Sequence, residues 1–211
     1  MTLRNYLLRT ASAACLVLLA ACQPAAAPAP QTRAATAQEN VVPIIRPFPV
    51  TAMHEPMVVD FELPPPGPNA APTLLIGLRV KGEDDAQAAQ AAERLVREGL
   101  PAEVLLERVE QVGTEPVPLT RRQFNGFEPS EMVAVGSDGH VPGVVPDSAD
   151  DASLVAAGLI GPDGHYRTVT FAWAEQVKPG HYRLRLRLLS PAAGLEAVPS
   201  ELQLAYTHRA K

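Results

Sequence analysis

Two copies of the tetrad Gly-His-Tyr-Arg, one starting at Gly164 and one at Gly180, place His165 and His181 sixteen residues apart. Paired imidazoles could hold a metal ion or relay a proton. Strand parity argues against it. His181 shares a face with Arg183 and Arg185, opposite Tyr182, Leu184 and Leu186, and so points to solvent. His165 shares parity with Val169, Phe171 and Trp173, the apolar set of its own segment. One tetrad used with opposite facing is what shared turn chemistry produces, since Asp163-Gly164 and Pro179-Gly180 are both turn pairs that feed strands.

Other reactive constellations are thin. His54, His140 and His208 are scattered, and neither an HExxH pattern nor a cysteine pair accompanies them, so no metal is expected. Asp147, Asp150 and Asp151 lack the alternating ligands and glycine of a calcium loop and read as a solvated loop. Ser137 lies three residues before His140 in what looks like one turn, with no GxSxG elbow, which does not present a nucleophile to a base and an oxyanion hole. No catalytic residue and no cofactor are expected.

The one unusual chemical feature is a row of cations. Arg183, Arg185 and Arg187 alternate with leucines and stand about 7 Å apart along one strand face. Unpaired they repel, so acids such as Glu201 or the acidic surface of a helix are expected to compensate them. The functional reading is a contact surface for an acidic partner or a phosphate.

The elements that carry these residues read mostly as strands. Period-two alternation is clear in MVVDFEL from Met57, TLLIGLRVK from Thr73, HYRLRLRL from His181 and ELQLAYT from Glu201. Weaker strand candidates cover 103–112, 117–120, 131–135, 154–160 and 166–173. One segment has helical spacing instead: DDAQAAQAAERLVREG, with Asp84 as N-cap, Gln87 three residues on, a Glu93–Arg97 pair one turn apart, and Gly99 and Pro101 as the stop. The expected fold is mainly β, an antiparallel Ig-like β-sandwich with one inserted α-helix over about residues 85–98.

The N-terminus speaks for location. Arg4 and Arg9 precede a short apolar run that ends in Leu19-Ala20-Ala21-Cys22. The run is too short to span a bilayer as a helix, so residues 1–21 read as a lipoprotein signal peptide and Cys22 as the acylated residue. Cys15 falls within the removed part, which leaves no disulfide and no thiol nucleophile. Gln23 stands where an Asp would favour inner-membrane retention, so the expected location is the outer membrane, facing the periplasm. Residues 22–40, rich in Ala, Pro, Gln and Thr, read as a disordered tether, and 41–211 as one domain. Loss of Arg4 and Arg9 from 18 Lys+Arg leaves 16 against 23 Asp+Glu, a formal charge of −7. Such a chain is no nucleic-acid binder and has no polybasic grip on anionic lipid.

Three stretches, TLLIGLRVKGEDDAQAAQAAERLV, PAEVLLERVE and VKPGHYRLRLRLLSPAAGLEAVPSELQLAY, together resemble a family of proteobacterial lipoproteins built on a domain of unknown function. The segment from Arg121 to Gly161 has no counterpart in that resemblance. The resemblance implies a β-rich periplasmic protein without catalysis, and a role as an immunity protein encoded beside type VI secretion effectors. The expected function is therefore a membrane-anchored, non-catalytic binding module that neutralises a secreted envelope-targeting effector, with an exposed strand edge, the arginine row and the 121–150 loop as contact candidates. The alternative is a structural or assembly lipoprotein of an envelope or secretion machine, and an envelope enzyme is a third reading. Expected partners are the membrane, through the lipid, and a protein.

Overall fold

Alternating strands with one apolar side are stable only when two such sides face each other. In a computed structural model the described residues are 40–51, 55–124, 130–161, 164–190 and 198–209. The chain divides into a unit ending at Ala34, outside the described residues, and a unit from Ala35 to which all described residues belong. Cys22, the signal segment, nearly all of the tether and His54 lie outside the described residues.

Among the described residues, twelve strands form two antiparallel sheets. The larger contains β1 (Ile44–Pro47), β12 (Ser200–His208), β3 (Ala70–Lys81), β10 (Tyr166–Ala174), β6 (Thr120–Gln123) and β7 (Glu131–Ala134) in that order, with β9 (Val145–Asp147) also paired to β10. The smaller contains β2 (Met57–Leu63), β11 (Gly180–Leu188), β4 (Ala102–Val109) and β5 (Thr114–Pro116), with β8 (His140–Val141) also on β4. The molecule is an antiparallel β-sandwich, as its alternation predicts.

Between the sheets, the even residues Leu74, Ile76, Leu78 and Val80 of β3 meet Tyr182, Leu184, Leu186 and Leu188 of β11 in one cluster. Phe61 stacks on Tyr182, with centroids 5.7 Å apart. The described residues also include two helices. α1 (Asp85–Glu98) is the inserted helix: Asp84 accepts a hydrogen bond from Gln87 N at 2.7 Å, and Gly99, at φ 70°, ends it. It packs against β3, β9 and β10 and adds Ala91, Ala92 and Leu95 to the core. The ion pair of Arg97 is formed with Glu98 at 4.0 Å rather than with Glu93.

The segment 154–160 is not a strand. It belongs to a second helix, α2 (Asp151–Ala156), and the turn after it. Local capping overrides a short apolar run here, since Asp150 accepts from Ser153 N while Ser153 Oγ donates to the Asp150 carbonyl. Most of 117–120 is also outside any strand, where Pro118 has no N–H to give a ladder. α2 lies against β12, where Leu154, Ala149 and Ala205 form a separate small cluster. The larger sheet is thereby covered on its outer side, and Arg79, Thr168, Thr170 and Gln203 are buried there. The acidic run is part of this cover rather than a solvated loop. Asp150 is buried as the α2 cap, and Asp147 accepts from Trp173 Nε1 at 2.7 Å.

Candidate binding face

Both helices pack on strands of the larger sheet, and on the outer side of the smaller sheet Val58, Asp60, Arg185 and Arg187 are exposed. β11 runs through its centre, and register fixes what flanks each arginine. Arg183 stands between Asp60 of β2 and Glu107 of β4, Arg185 between Val58 and Leu105, and Arg187 beside Glu103. The outer two are paired: Arg183 Nε lies 2.7 Å from Asp60 Oδ1, and Arg187 Nη2 lies 2.5 Å from Glu103 Oε2. Compensation thus comes from neighbours in the same sheet. Glu201, on the other sheet, is engaged by Arg79 and Lys81 instead.

Arg185 differs. Its neighbours across both ladders are apolar, it is exposed, and no carboxylate pairs with it among the described residues. Exposed pairs such as those of Arg183 and Arg187 are screened by solvent and add little to stability. Between them Arg185 is the register partner of Val58, itself 49% exposed. One end of the face dips into a hollow of about 410 Å³ bordered by Asp60, Glu62, Val109, His181 and Arg183.

The two histidines of the tetrads are not brought together. His181 is exposed on this face, as its parity predicts. His165 precedes β10, which belongs to the other sheet, and sits half-buried with Nδ1 3.2 Å from Asp85 Oδ1. That hydrogen bond is the main cause holding the Asp85 carboxyl below its usual range; slight burial opposes it and Arg167 adds to it. Its parity with the apolar set does not bury it, because the strand starts only at Tyr166. The tyrosines divide the roles further. Tyr182 Oη donates to the Lys178 carbonyl at 2.6 Å and closes its own turn, whereas Tyr166 lies under the Arg79 guanidinium, 5.5 Å from centroid to Cζ.

Ser137 and His140 lie about a turn closed by Gly139 N on the Gly136 carbonyl, with His140 N held by Asp138 Oδ1. Among the described residues no group of three His, Cys, Asp or Glu side chains is placed to hold a metal. Two arginines that parity did not single out, Arg121 and Arg122 of β6, border a further hollow beside β10.

No protein-family model and no curated protein matches the chain. Among solved structures, the crystal structure of a protein from Sulfurospirillum deleyianum is similar over 79% of this chain and 98% of that one, at 8% identity and a TM-score of 0.43.

Proposed function

We propose that the chain is a membrane-anchored, non-catalytic binding module of the cell envelope, which docks a protein partner on the outer side of its smaller sheet. The observation that carries this reading is exposed Arg185, which has no carboxylate partner among the described residues and stands in register between Val58 and Leu105. A partner that sets a carboxylate on Arg185 and apolar atoms on Val58 gains a charge-assisted hydrogen bond together with apolar burial. The sequence Leu-Ala-Ala-Cys22 supports lipidation, with attachment to the outer membrane facing the periplasm. The family resemblance supports an immunity role, in which the partner is a secreted envelope-targeting effector.

Affinity capture of the tagged full chain from its own envelope tests both parts. The Cys22→Ser form should leave the membrane fraction. The Arg185→Glu form should stay membrane-bound and folded by circular dichroism, yet lose at least tenfold of whatever protein the parent chain retains. Equal recovery with Arg185→Glu would mean that the partner binds elsewhere, and Cys22→Ser protein that still sediments with membranes would remove the anchor.

A further inference from the structure

In strand order the larger sheet ends on β1 and β7 and the smaller on β2 and β5. An outer strand offers unpaired N–H and C=O groups to any extended chain, so folded proteins block such edges with proline, charge, brevity or cover. Ladder alternation fixes which residues face outward. Residues of hydrogen-bonded pairs turn both groups to the neighbouring strand, and those between turn them away. In β1, Phe48 N bonds the Ser200 carbonyl, so Ile45 and Pro47 face outward, and Pro47 has no N–H. In β5, Val117 N bonds the Leu106 carbonyl, so Thr114 and Pro116 face outward, and Pro116 again has none. In β2, Val58, Asp60 and Glu62 face outward; two are acids, and Val42 N already takes the Glu62 carbonyl. β8 and β9, which branch from the order, are only two and three residues long.

β7 differs from the other ends. Val135 N bonds the Leu119 carbonyl, and the same alternation makes Arg121–Val133 and Gln123–Glu131 hydrogen-bonded pairs. Met132 and Ala134 therefore face outward, both uncharged and both with an N–H to give. Both are exposed, Met132 by 44%, and among the described residues β7 pairs with β6 alone.

This edge also matches itself. Two antiparallel copies related by a two-fold axis at Val133 set Met132 of each against Ala134 of the other, with main-chain hydrogen bonds exchanged within each pair. The long methionine then lies beside the small alanine, Val133 meets Val133 of the second copy, and Glu131 stands opposite Val135, so no like charges oppose each other.

We propose that β7 pairs with β7 of a second copy of this chain, joining two larger sheets into one across a two-fold axis. The arginine row lies on the smaller sheet and takes no part.

A cysteine at position 133 reads this register, because facing Cα atoms of a non-hydrogen-bonded pair stand about 4.5 Å apart, within reach of a disulfide. In cells treated with copper phenanthroline, Val133→Cys should give at least tenfold more disulfide-linked dimer than Val112→Cys, whose position is 95% exposed between β4 and β5. Cys15 and Cys22, present in both, set a common background. Adding Ala134→Pro removes an outward N–H and no bond to β6, and should cut the Val133→Cys dimer at least tenfold. Adding Met132→Lys should do the same through charge, and it decides the matter if the proline form fails to fold. A photo-crosslinking amino acid at position 132, in cells that make two differently tagged copies, identifies the occupant. An adduct carrying both tags supports the second copy, whereas an adduct with another protein alone assigns the edge to a foreign strand and overturns the pairing. No excess of dimer over Val112→Cys, or a dimer that persists in folded Ala134→Pro and Met132→Lys forms, would overturn it as well.

Discussion

Gly77→Val is expected to prevent the chain from folding, and Gly77→Ala to lower its stability by about 3 kcal/mol or more, a fall in Tm on the order of 10 °C. Gly77 lies in β3, opposite Thr170 of β10 and Gln203 of β12. A Cβ built there would stand 2.3 Å from the Val169 carbonyl oxygen and 3.0 Å from Thr170 Cα, both backbone atoms that cannot rotate away. The bulge in β10 begins at this level, and it changes which parity faces inward: Val169 and Phe171 before it, Ala172 and Ala174 after it. A side chain at position 77 would push β10 off β3 at the point where both the core register and the neighbouring hollow are set. Gly67→Ala is the control. It has nothing within 4 Å of its Cβ, and its thermal and urea midpoints should stay within about 0.5 kcal/mol of the parent. A Gly77→Ala protein as stable as the Gly67→Ala protein would show that β10 yields freely here.

Glu201→Ala is the second large effect, expected at about 3–5 kcal/mol. Arg79 is buried beneath the segment that covers the larger sheet, and Glu201 meets its Nε at 2.8 Å and its Nη2 at 2.7 Å from directly across the ladder. Removing the carboxylate leaves a buried guanidinium with the Leu159 carbonyl and the Tyr166 ring as its partners among the described residues. The pair also makes stability depend on pH. Burial pushes the Glu201 carboxyl up, but hydrogen bonds from Arg79 and Lys81 outweigh it and hold the group below its ordinary value of 4.5. A carboxyl with a depressed folded pKa contributes stability above its unfolded pKa and loses it as pH falls through the folded one. The gap in urea midpoint between parent and Glu201→Gln should therefore be full at neutral pH and shrink on acidification below about 4.5. A gap that stays constant down to strong acid would sink the ion-pair explanation.

How much of this was legible in the sequence depends on how local each signal is. α1 was legible to the residue because its cap, apolar spacing and glycine stop all lie within sixteen positions. β2, β11 and β12 were legible as alternating strands. α2 was missed because Leu154, Val155, Leu159 and Ile160 look like a strand, and the deciding Asp150–Ser153 cap is a pair of side-chain bonds that apolar patterning does not score. The arginine row was visible, but its partners were not. Asp60 is 123 positions from Arg183, and only strand order brings them together. Alternation carries no strand order, so it offers Glu201 to that row, whereas Glu201 serves Arg79 in the other sheet. The hollow at Arg121 and Arg122 depends on a bulge and on two strands sharing one edge, neither of which leaves a periodic trace.

A photo-crosslinking amino acid placed in living cells at position 58, and separately at position 155, tests the docking face most directly. Val58 lies beside Arg185 on the open sheet, and Val155, 59% exposed, lies on α2 against the larger sheet. The expected result is a discrete protein adduct from position 58 that disappears with Arg185→Glu, and none from position 155. No adduct at position 58, or equal adducts at both positions that persist with Arg185→Glu, would contradict a partner seated on the arginine row.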